Sequence, residues 1–112
     1  MTARVYVPTT MAGLTGFVEA GLVPGGAERF VAADEDEESE YAALMAAAEA
    51  SAALLDGPGR RVVVVGEVGD PDAPVPLRHV VAVHADTADG AAPSDDLAWF
   101  ATQEIPFLLG GA

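Results

Sequence analysis

The sequence contains no cysteine, no lysine and no asparagine, and its five basic residues, all arginine, stand against eighteen aspartates and glutamates. Each absence removes a class of chemistry. Without cysteine there is no disulfide, no thiolate nucleophile and no zinc–sulfur centre. Without lysine there is no P-loop phosphate clamp and no pyridoxal Schiff base. Serine is limited to Ser39, Ser51 and Ser94, none of them in the G-x-S-x-G setting that raises a nucleophile above a sheet. Long apolar runs are missing too: the one around Val62 to Val65 falls far short of the about 20 residues that span a bilayer. The opening Met1-Thr2-Ala3-Arg4 has no charged lead-in to an apolar stretch, so a cytoplasmic location is expected.

What is present is acid. The formal net charge is −13 and the isoelectric point about 4.1. Such a surface repels nucleic-acid phosphates and anionic membranes, so neither is expected as a direct partner; basic proteins are favoured. Six of the carboxylates fall between Asp34 and Glu40. Hydrophobic residues make up 51% of the 112, enough for one folded core, and a single αβ domain over residues 1–112 is expected.

Along the chain, Arg4 to Pro8 reads as a strand ended by the proline. Thr9 or Thr10 then caps a helix whose stripe is Met11, Leu14, Phe17 and Val18 and whose stop is Gly21. Glu28 to Ala33 has room for a short strand. An alanine-rich helix over Tyr41 to Leu55 follows the acidic stretch, with Asp34 and Glu37 as a capping box and a face of Tyr41, Leu44, Met45, Ala48, Ala52 and Leu55. Arg61 to Val68 is a central strand, and Arg78 to Ala85 another. The loops 69–76 and 86–96 are expected to be exposed. In the tail, Leu97 to Ala101 suits an edge strand and Ile105 to Leu109 a core closure, with Pro106 barring a continuous helix. The order predicts an α/β fold, a small layered domain with a mixed sheet of about four to five strands, two main helices and one or two right-handed crossovers.

Candidate chemistry is thin. His79 and His84 have odd separation on one expected strand and so face opposite sides, which rules out joint metal chelation. His84 and Asp86, two residues apart, form the one pair that could serve as acid and base. Asp86, Asp89, Asp95 and Asp96 around Gly90 carry carboxylates suited to calcium, but Ala85 and Thr87 stand where an EF-hand needs ligands. No metal or cofactor is expected. Trp99, Phe100, Gln103, Glu104 and Phe107 form the candidate docking patch, since large apolar side chains cluster there around polar ones.

Several stretches resemble a family of short acidic actinobacterial proteins of unknown function: RVYVP at Arg4 to Pro8, E-x-E-Y-A-A-L at Glu38 to Leu44, RRVVVV at Arg60 to Val65, the segment from Pro76 to Asp86, and W-F-A-x-Q-E-I-P-F-L-L at Trp99 to Leu109. The resemblance implies no activity. The sequence therefore favours a non-catalytic interaction or regulatory module with a basic partner or a second copy of itself. One alternative is a small metabolic enzyme using His84 with carboxylates. Another is a nucleic-acid mimic built on the acidic segment 34–40.

Overall fold

The chain's β-branched runs and its alanine-rich stretch sort into strands and helices in the computed structural model, which describes residues 2–110. Met1, Gly111 and Ala112, counted in the single-domain expectation, lie outside the described residues. The elements are β1 (Ala3–Thr9), α1 (Met11–Ala20), β2 (Leu22–Val23), β3 (Phe30–Val31), α2 (Glu37–Leu54), β4 (Val62–Val68), β5 (Val75–Pro76), β6 (Val80–Ala85), β7 (Ala98–Phe100) and α3 (Ile105–Leu108). Short 3-10 turns occupy Leu77–His79 and Thr102–Glu104. Among the described residues, no helix is long and apolar enough to cross a membrane.

The main sheet has five strands in the order β3-β1-β4-β6-β7, and β2 with β5 forms a separate two-stranded ribbon. The α/β layering and the strand number are as expected, but every neighbouring pair is antiparallel rather than mixed. The reason lies in one insertion. β3 and β4 are each antiparallel to β1 and therefore run the same way, joined by α2, yet β1 lies between them. The crossover exists without two parallel strands touching.

The two faces of the sheet carry different cores. One holds Val5, Val7, Val62 and Val64, and onto it pack Leu14 of α1, Val23 and Val75 of the ribbon, and Ile105 and Leu108 of α3. The other holds Tyr6, Val63, Val65 and Ala82 against Ala43, Ala47 and Ala48 of α2. Alternation along β1 and β4 assigns each residue to its side. Gly66 matters here because a Cβ at that position would come within 2.5 Å of Val75 Cγ1, so glycine lets the ribbon close on the sheet.

Several boundaries differ from expectation. Pro8 does not end β1: it pairs with Val63, and its missing donor is tolerated because beyond Tyr6 only β4 still flanks the strand. Thr10 caps α1 by accepting from Gly13 N–H at 3.0 Å, and Gly21 ends it at φ 80°. The cap of α2 is Asp36, accepting from Ser39 N–H at 2.7 Å, not Asp34. Its buried residues are Ala43, Ala47, Ala48 and Ser51, whereas Tyr41 is 56% exposed. Small side chains let the helix sit close to the sheet, so the bulky residues lie to its side. The loop 69–76 contains the fully buried Val75, and so is not wholly exposed. Ser51 is buried as well: its hydroxyl donates to Thr9 O at 2.6 Å and accepts from Val62 N–H at 2.8 Å, tying α2 to the end of β1 and the start of β4.

Candidate functional site

One helix does not cover five strands. α2 packs over β1, β3 and β4, and beside it the same face continues onto β6 and β7 as a groove of about 440 Å3. Its floor is Tyr6, Val65, Ala82 and His84; Tyr41 and Leu44 of α2 form one wall and Trp99 of β7 the other. The register explains the floor, since Val63 faces His84 on β6 and His84 faces Trp99 on β7, which puts all three on one side. A shift in the β4–β6 ladder pairs Val65 with Ala82 but Gly66 with Val80, leaving Val81 as the extra residue of a bulge. Val81 is thereby turned out into the groove.

Charges sit on the rim. Arg4 Nη2 donates to Glu67 Oε2 at 2.9 Å, and Nη1 lies 3.7 Å from Glu40 Oε1, so the one arginine of the groove is flanked by two carboxylates. Glu37, one helical turn before Tyr41, is exposed and makes no ion pair among the described residues. Burial lowers the pKa of His84, which keeps the imidazole neutral near pH 7. Burial together with the charge of Glu40 raises the phenol of Tyr6, against the opposing pull of Arg4.

The sequence-derived candidates are dispersed. His84 lines the groove, but Asp86 lies beyond the end of β6 and is committed elsewhere. Arg61 Nε and Nη2 donate to its two carboxylate oxygens at 2.8 Å each, and the Arg61 backbone N–H adds a third bond at 2.9 Å. Their side chains are only 5% and 3% exposed. Burial alone would raise the Asp86 carboxyl, but the hydrogen bonds and charge of Arg61 outweigh it and hold it below the usual range. Arg61 Nη2 also reaches Asp95 O at 2.8 Å, so the pair fastens the loop 86–96 to the start of β4. His79 is exposed in the 3-10 turn ahead of β6, because that strand begins at Val80 and not at Arg78.

The tail splits likewise. Trp99, 60% exposed, faces the groove, whereas Phe100 points to the opposite core and packs there with Ile105 and Leu108. Phe107, 71% exposed, stands on α3 beside Phe100 and Arg60, on that other side. Glu104 folds back to accept from Ala101 N–H at 2.9 Å, and Gln103 is exposed. The five residues thus form two surfaces, because successive strand residues diverge. The acidic stretch is compact rather than extended: Asp34 and Glu35 lie before the cap at Asp36, and Glu37, Glu38 and Glu40 occupy the first turn of α2. Sequence reasoning missed Arg4, Tyr6, Glu37 and Tyr41. The available signals were the i, i+2 spacing of Arg4 and Tyr6 and the i, i+4 spacing of Glu37 and Tyr41.

A family model, described as a family of unknown function (DUF6912), matches residues 3–94. The match ends before Trp99, so the tail motif lies outside it. No curated protein and no solved structure matches the chain.

Proposed function

From the premise that the chain belongs to this family of unknown function, we propose, on its geometry, a cytoplasmic, non-catalytic interaction module that docks a basic protein partner on the open half of its sheet. The observation that carries this reading is Trp99, a large side chain left 60% exposed across a groove from Tyr41, on the part of that face beside the strands that α2 packs over. Exposed aromatic residues at a concave surface are the usual anchors of protein interfaces. The net charge of −13 favours a basic partner and speeds its encounter.

The alternative of an enzyme based on His84 and Asp86 has less support. Asp86 uses both its oxygens on Arg61, and no side-chain hydrogen bond orients His84 among the described residues. A nucleic-acid mimic is also less well supported, since the carboxylates cluster at one helix end instead of following a phosphate-like row.

The test is site-specific photo-crosslinking in cells, with a benzophenone-bearing phenylalanine placed at Val81, at Trp99, where its ring stands in for the indole, or at Phe107 on the far side. A discrete basic protein trapped from positions 81 and 99 but not from 107 is the expected result. Trapping from 107 alone, or from none of the three, overturns the proposal.

A further inference from the structure

We infer that the groove receives an arginine side chain from an extended segment of the partner, held between Trp99 and Tyr41 with Glu37 as its counter-ion. This rests on the docking reading above and adds to it the chemistry of what docks.

The charges point to a cation. Arg4, the one basic side chain on the groove wall, is already matched by Glu67 and Glu40, while Glu37 has no such match among the described residues. A cation entering the groove therefore meets an unengaged carboxylate. The histidine on the floor does not oppose it, because burial keeps that ring neutral. An anionic side chain would face Glu37 and Glu40 directly.

The aromatic walls select among cations. Trp99 and Tyr41 stand on opposite sides of one groove and are 60% and 56% exposed, so both rings are free to take a flat partner. A guanidinium is planar, stacks on aromatic faces and is less strongly hydrated than an ammonium, which makes arginine the better occupant. The volume of about 440 Å3 exceeds one side chain and leaves room for neighbouring backbone. β7 offers that backbone a place to lie, as it is the outermost strand and, among the described residues, is paired only with β6. Because β7 is three residues long, strand pairing would add few bonds and the side chain is the anchor.

Trp99 is the only tryptophan, so its fluorescence reports occupancy without a label. The probes are three terminally blocked octapeptides in which alanine alternates with arginine, lysine or glutamate. The arginine peptide is expected to shift Trp99 emission saturably, the lysine peptide to bind about three- to ten-fold more weakly, and the glutamate peptide to have no effect. Glu37→Gln should weaken arginine-peptide binding by about ten-fold. Glu38→Gln removes the same charge from the same helical turn outside the groove and should change it less than about two-fold by long-range screening alone.

Equal weakening by both substitutions means general attraction to an acidic surface and overturns the inference. So does lysine or glutamate binding as well as arginine. Exposed Glu37 and Glu38 leave the core intact, and unchanged thermal midpoints confirm that the comparison is of folded proteins. If a partner is crosslinked at positions 81 and 99 yet its capture is indifferent to Glu37→Gln, the arginine falls and the docking reading stands. If nothing crosslinks there, or sedimentation shows that a second copy fills the groove, the basic-partner reading falls first.

Discussion

On the side of the sheet that carries Val5, Val7, Val62 and Val64, large aliphatic residues from α1, α3 and the β2–β5 ribbon close the core. On the opposite side a single alanine-lined helix lies over three strands, and β6 and β7 continue past it. The first side gains its stability from apolar area, about 25 cal/mol per Å2 removed from water. The second has less bulk to bury and relies on directed bonds at its margins, through Ser51 and through Arg61 with Asp86. Partial cover is the structural cost of close helix packing, and it is also what leaves a concave surface open.

The largest expected effect tests that reliance on directed bonds. Asp86→Ala strands the buried Arg61 guanidinium and should destabilise the fold by about 3–5 kcal/mol in urea unfolding. A loss well under 1 kcal/mol would remove the claimed distinction between the faces. The pair also fixes an acid response. Because the Asp86 carboxyl is held below its ordinary value, its contribution is complete above the unfolded value of about 3.9 and is lost as pH falls through the lower folded one. Acid titration of the wild type should therefore show a steeper fall in stability below about pH 4 than titration of Asp86→Asn.

Next in size, on the aliphatic side, Leu14→Ala should cost about 3 kcal/mol, since Leu14 is 1% exposed and its removal opens a cavity under α1. Ser51→Ala follows at about 2 kcal/mol by leaving Thr9 O and Val62 N–H without their buried partner. Thermal unfolding beside the wild type ranks the two; Ser51 exceeding Leu14 would reverse that order and place the directed bonds above aliphatic bulk. The smallest effect is on the open half: Trp99→Ala should change stability by less than about 0.5 kcal/mol while abolishing capture of the partner. A stability loss of several kcal/mol there would mark Trp99 as core.

Much of the scaffold was legible. The run of four valines after Arg61 announced β4, and Thr10 and Gly21 bracketed α1, because these signals are local. Ile105 and Leu108 closing the core also followed from the tail's composition. The groove was not legible in the same way. It depends on which strands α2 covers, and the insertion of β1 between β3 and β4 is a long-range pairing that no local pattern encodes. The role of Asp86 was hidden likewise: its spacing from His84 suggested a pair, but its partner lies 25 residues earlier in the chain. The helix face was legible in part: Ala48 is buried and Leu44 packs on that core as the stripe predicts, but close packing also selected Ala43, Ala47 and Ser51 and left Tyr41 exposed.

The placement of β1 bears on how the chain is made. Its seven residues pair in full register with Val62–Val68 and only at Val5 and Tyr6 with β3. While the chain is growing on the ribosome, β1 therefore emerges with no lasting neighbour until some sixty further residues have followed, the kind of distant contact that makes folding slow. For that interval β1 waits beside a helix that cannot yet seat; completion of β4 is the point at which β1 and α2 settle, and the groove closes only once β6 and β7 have followed.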